Sequence, residues 1–407
     1  MRRDIDRLMK EEGIDYLILL GEPSHSPNLA YLLKGAKLSF AILVKRRGEK
    51  PVLIYNPMER DEARKVEAEL IPLSQFYPAL RSEEKREGEE ALLFEAIRSL
   101  KVKGRVYFAG KVAIEQYYPI LNALGKEFPQ IELVSGSSKN VIARARETKD
   151  EEEIERIREV GKKAEGIFSS VVELLKSLEV KEDILYSEDG KRMTVGRMKS
   201  FIRMRLAEEG LLEEIDTIFS VGGETAIPHN YGGEETVLCL GAPIVFDMFP
   251  RDRRSGYFFD ITRTFFLGKI GKEEERIYST VKEAMTLIMK EIRVGMSGAE
   301  LYHLVCDFFE AKGYPTLRGD PAITSGFVHS LGHGVGLEVH EPPFLASAPR
   351  GDQEITPGMV FTIEPGLYFP EQGFGVRLED VLYIDEKGVA KSLTSFPKEP
   401  LIRIGSI

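Results

Sequence analysis

A chain of 407 residues, 43% of them hydrophobic, is long enough for two packed domains and apolar enough to fill both cores. Its net charge of −10, without any basic stripe, excludes nucleic acid as a main partner. Cys239 and Cys306 show neither disulfide nor zinc spacing, and the opening Met1-Arg2-Arg3-Asp4-Ile5 leads into an amphipathic helix, so a cytoplasmic protein with no signal peptide and no membrane span is expected.

Residues 1 to about 135 alternate helix-like and strand-like pieces. A first helix runs to Glu12, and strands are expected at Tyr16–Leu20, Phe40–Val44, Pro51–Tyr55 and Arg105–Ala109. That alternation predicts an α/β domain over residues 1–140. Ser135-Gly136-Ser137-Ser138-Lys139 reads as a linker, with a second domain over 145–407. Thr148-Lys149-Asp150-Glu151 has the form of a capping box that opens a long helix, whose apolar face follows Ile154, Ile157, Val160, Ala164, Ile167, Val171 and Leu174. A weak internal repeat comes next. This long helix, a second at Thr194–Glu209 and then strands are echoed by a helix from about 272, another opened by Ser297 and Glu300 and closed by Gly313, and more strands.

Four carboxylates stand in apolar, strand-like settings: Asp247 in Ile-Val-Phe-Asp-Met-Phe, Asp260 in Tyr-Phe-Phe-Asp-Ile-Thr, Glu364 in Phe-Thr-Ile-Glu-Pro and Glu379 in Val-Arg-Leu-Glu-Asp. Buried acids need partners, and four together repel unless cations sit among them. Three of the six histidines, His329, His333 and His340, fall within twelve positions, in a stretch where Val335, Leu337 and Val339 alternate as in a strand with one apolar face. Oxygen ligands with one imidazole suit Mn²⁺, Co²⁺, Fe²⁺ or Zn²⁺ better than a thiolate-type structural zinc site.

On these residues the chain resembles the pita-bread metallopeptidases, the family of methionine aminopeptidase, aminopeptidase P and prolidase. Asp-Ile-Thr-Arg-Thr at 260–264, Gly-His-Gly-Val-Gly-Leu at 332–337, Ile-Glu-Pro-Gly-Leu-Tyr at 363–368 and Gly-Val-Arg-Leu-Glu-Asp at 375–380 look like its signature blocks. The resemblance implies an amino-terminal creatinase-like α/β domain and an α+β pita-bread catalytic domain. It places the five metal ligands at Asp247, Asp260, His333, Glu364 and Glu379, with Asp260 and Glu379 bridging two divalent ions, Mn or Co first, Zn or Fe as alternatives. Twelve residues separate Asp247 from Asp260, a longer gap than is usual in the family; Asp252 is the competing first ligand, although it sits in a polar hairpin tip where a turn role is natural.

Further roles follow from the same resemblance. His229 matches a histidine beside the reacting solvent or substrate, His340 one that binds the substrate carbonyl, and His329 one found in proline-specific branches. Arg377 would support Glu379 or hold a substrate group by charge-assisted hydrogen bonds. Glu364 would take and return the proton. His303, in a helix, and His25, between prolines, are expected to be structural or surface residues. The amino-terminal domain points to aminopeptidase P, prolidase or creatinase, and the full ligand set to the two metal enzymes. The resulting expectation is a homodimeric Xaa-Pro aminopeptidase acting on peptides with proline second. A prolidase restricted to dipeptides is the alternative, and a non-catalytic peptide- or protein-binding relative the remote one.

Overall fold

The computed structural model describes residues 4–77, 88–136 and 140–404. Two compact units divide the chain, Met1–Arg146 and Glu147–Ile407. Three residues of the expected linker, 137–139, lie outside the described residues. No helix among the described residues is long and apolar enough to cross a membrane.

The first unit is built on a six-stranded sheet whose central strand, Tyr16–Gly21, is buried at every position. It pairs antiparallel with Ala41–Arg46 on one side and parallel with Gly104–Ala109 on the other. A strand covered on both faces is apolar throughout, as Leu-Ile-Leu-Leu is here. Helices Gly88–Ser99 and Ile114–Glu127 bring Leu93, Phe94, Ile97 and Leu124 onto Ile18 and Val106.

The second unit opens with the 27-residue helix Glu151–Ser177. Its capping box is Asp150 with Glu153, not Thr148 with Glu151. Thr148 instead makes a β-bridge to Met359, which draws the chain into extended backbone and moves the cap two residues on. The buried face also turns slightly from the expected one, with Phe168 and Leu175 buried and Leu174 only partly so.

Each half of this unit then repeats one plan. Helices Glu151–Ser177 and Val195–Glu208 precede strands Ile218–Val221, Pro243–Met248 and Ile261–Leu267; helices Lys272–Glu291 and Gly298–Ala311 precede Gly332–Gly334, Val360–Ile363 and Asp380–Ile384. Ser297 and Glu300 cap the Gly298–Ala311 helix reciprocally. Pairing among these strands is antiparallel, and a bridge between Thr262 and Glu379 stitches the two sheets together. That seam decides where the site lies, because it brings Asp260 and Glu379, 119 positions apart in the chain, to the same place. The alternating Val335, Leu337 and Val339 do not form a strand. Pairing stops at Gly334 after a register shift between His333 and Gly334, and residues 336–340 bend.

Candidate metal centre

Strand ends position most of the acids. Asp260 immediately precedes Ile261–Leu267, Glu364 immediately follows Val360–Ile363, and Glu379 precedes Asp380–Ile384. Asp247 lies within its strand, opposite both Ile218 and Thr262. His333 occupies the middle of Gly332–Gly334, where both flanking glycines face backbone at distances no Cβ could occupy: Thr362 O would lie 2.1 Å from one added at Gly332, and Pro342 O 2.3 Å from one at Gly334.

Three carboxylates converge on the His333 ring. Its Nδ1 donates to Gly334 O at 3.2 Å, leaving Nε2 to face Glu364 Oε1 at 3.6 Å, Asp260 Oδ2 at 3.7 Å and Glu379 Oε1 at 4.0 Å. Ligand atoms of Asp260, His333 and Glu379 lie within 4.8 Å of one another. Asp247 stands to one side, its Oδ2 accepting from Arg377 Nη2 at 2.7 Å.

The electrostatics are those of charge confined without enough counter-charge. Burial, then the charge of Glu379, holds the carboxyls of Asp260 and Glu364 well above the usual range. Burial, then Asp247, pushes Glu379 up to about 8, although Thr262 Oγ1 donates to its Oε2 at 2.8 Å. Burial and neighbouring His340 hold His333 down to about 3, which keeps its ring neutral, the form that binds metal. Asp247 Oδ1, Asp260 Oδ1 and Glu379 Oε1 are buried with no hydrogen-bond donor. Orphaned, converging carboxylate oxygens beside a neutral imidazole fit a divalent cation.

Asp252 has other duties. Its Oδ1 accepts from Arg254 N, Ser255 N and Ser255 Oγ, and its Oδ2 pairs with Lys163 at 3.1 Å, so the hairpin consumes the carboxylate. Arg377 serves Asp247 rather than Glu379. Its other donors reach Tyr368 Oη at 2.7 Å, Pro228 O at 3.1 Å and Thr262 Oγ1 at 3.4 Å. The bond to Pro228 tethers the exposed segment that carries His229. His329 is half-buried, with Nδ1 donating to Ser330 O at 2.6 Å and Nε2 accepting from Tyr368 Oη at 3.0 Å. Burial, with Arg377 and His229 adding to it, holds this ring down to about 3. His340 lies edge-on to His333, ring centres 4.2 Å apart. His25 and His303 are remote from these contacts: the former is exposed beside Glu22, the latter stacks at an angle on Tyr302.

Tyr368 and Thr262 escaped the reading of single positions. Thr262 carries a usable signal, since period-2 spacing puts it on the same strand face as Asp260. Tyr368 carries a weaker one, because a tyrosine in an apolar strand must find a partner for its hydroxyl.

Residues 155–386 match Metallopeptidase family M24, and the chain belongs to that family. It is 29% identical over 402 residues to an uncharacterized peptidase of Methanocaldococcus jannaschii, spanning 96% of this chain and 95% of that one. To an Xaa-Pro dipeptidase of Pyrococcus horikoshii it is 27% identical over 399 residues, 98% and 97% of the two chains. The solved structure of an X-Pro aminopeptidase from Thermotoga maritima superposes with a TM-score of 0.75 at 25% identity, over 98% of this chain and 100% of that one. The fold is therefore an amino-terminal α/β unit followed by a pita-bread catalytic unit, and the protein is a metallopeptidase.

Proposed function

We propose that this metallopeptidase hydrolyses the bond between an amino-terminal residue and proline, as an Xaa-Pro aminopeptidase. The observation that carries the reading is the convergence of Asp260, Glu364 and Glu379 on the neutral His333 ring, with Asp247 held alongside by Arg377. Asp247, Asp260, His333, Glu364 and Glu379 would hold two divalent ions, Mn or Co first, which supply Lewis acidity to polarise the scissile carbonyl and acidify water.

The chain's own residues do the rest. Glu364, mostly buried beside His333, takes a proton from the attacking water at its carboxylate and returns it to the leaving proline nitrogen. His340 donates to the substrate carbonyl oxygen as negative charge develops there, and His229 flanks the same space from its exposed segment. His329, Tyr368 and Arg377 form a fixed hydrogen-bonded wall that orients Asp247 and excludes water from that side. A tertiary amide has no N–H for a site to bind, so a pocket shaped for proline selects by fit.

The Pyrococcus horikoshii relative named Xaa-Pro dipeptidase, similar over nearly the whole chain, supports a second reading with the same chemistry restricted to dipeptides. Comparing kcat/KM for an Xaa-Pro dipeptide with that for Xaa-Pro-Yaa peptides of increasing length separates the two. Faster turnover of the longer peptides is expected; activity confined to dipeptides would select the second reading, and none on either would sink both.

A further inference from the structure

Lys149 and Glu341 form an ion pair 2.7 Å long that is sealed from solvent, at 1% and 3% side-chain exposure. They are separated by 192 positions in the chain, and neither belongs to the metal centre described above. Replacing a buried ion pair by apolar groups of similar shape is often neutral or stabilising, so stability alone does not explain this one. What the pair touches does.

Glu341 follows His340 directly. Its Oε1 accepts from Lys149 Nζ, and its Oε2 accepts from the backbone N–H of Glu338 at 3.3 Å, closing the bend over residues 336–340 from below. Lys149 is itself fixed, its N–H donating to Gly358 O at 2.7 Å beside the Thr148–Met359 bridge. Gly336 packs directly on the pair: an added Cβ would fall 2.4 Å from Glu341 Oε1 and 3.1 Å from Lys149 Cε. Sheet pairing holds Gly334 and Glu341 on either side of the bend, but residues 336–340 between them are unpaired, so the side chain of Glu341 is what reaches back under them.

We infer that Lys149–Glu341 is a positioning device for His340, a buried strut that holds the 336–340 bend so that the ring stands edge-on to His333. The role in turnover rests on the function proposed above for His340; the positioning itself does not.

Single variants such as Lys149→Met strand a buried charge and fold poorly if at all, so the test uses Lys149→Met/Glu341→Leu, which removes both charges together. Three readouts apply to this variant: metal content, kcat and KM on an Xaa-Pro peptide, and the histidine ring carbon–proton signals of the Zn²⁺-loaded protein, with His340 assigned from His340→Ala. The expected result is a cooperatively folding protein with native metal content, a shifted His340 signal, unchanged His25 and His303 signals, and kcat lower by on the order of tenfold or more with little change in KM. Introduced into His340→Ala, the same two changes should cost no more than about twofold, since the ring they position is gone.

A folded double variant with the native His340 signal overturns the inference. So does an equal loss of kcat in both backgrounds, which would mark a purely structural role. Native turnover by His340→Ala alone would sink the catalytic reading of His340, and the ring signal would still decide whether the pair positions it.

Discussion

Buried charge is handled in opposite ways at Lys45 of the first unit and at the metal centre of the second. In the first, Lys45 is 1% exposed, yet its ammonium meets Asp6 Oδ1 at 2.7 Å, Arg46 O at 2.9 Å and Glu49 O at 2.5 Å. At the metal centre, Asp247, Asp260 and Glu379 are also buried, and each keeps an oxygen with no donor. A fold selected for stability alone would not crowd carboxylates in this way. Where local chemistry conflicts with the fold, the conflict marks the place at which something else must bind.

The sharpest way to break that comparison is to remove what resolves the conflict. Chelation should abolish hydrolysis, and Mn²⁺ or Co²⁺ should restore it; full activity in protein shown by elemental analysis to be metal-free would sink the site. Next in size is Glu364→Gln, which preserves shape and removes the base. Turnover should fall by roughly a hundredfold or more, while peptide binding, followed by calorimetry, weakens less.

A smaller effect separates two aspartates that sequence spacing leaves in competition. Asp247→Ala should lower the bound metal, because it takes away a buried carboxylate oxygen that has no donor, whereas Asp252→Ala should leave metal content nearly intact and lower the melting temperature through its hairpin. Metal loss on the second substitution alone would move the first ligand into the hairpin.

Much of this was legible from residues alone, and the failures share a cause. Acids in apolar strands, the Ser297–Glu300 cap and the helix–helix–strand repeat are signals written over a few neighbouring positions, and the structure shows the corresponding elements. The Thr148 and Asp150 boxes overlap in the chain, and only the tertiary bridge to Met359 decides between them. Alternation at Val335–Val339 mimicked a strand because glycines let the bend pack against Glu341 and Lys149. Partners more than a hundred positions distant, such as Arg377 for Asp247 or Lys149 for Glu341, leave no local trace.

The last prediction sets the two kinds of buried charge against each other in metal-free protein. Glu379 has an ordinary value of 4.5, raised to about 8 on folding by burial and then Asp247. Between those two pH values the folded chain keeps a proton that the unfolded chain has released, so stability falls as pH rises through the window and the loss is complete above about 8. Asp260 and Glu364, shifted the same way, add to the slope. Glu379→Gln should therefore melt higher than the native chain at pH 8 and show a flatter pH dependence. Lys45→Met should do the reverse at every pH in that range, costing about 1–3 kcal/mol, because it leaves two backbone carbonyls without their donor, and it should leave turnover of the metal-loaded enzyme unchanged. Calorimetric melts across pH 5 to about 8 read both, and a Glu379→Gln protein less stable than the native chain at pH 8 would show that the buried acids had been satisfied without a metal.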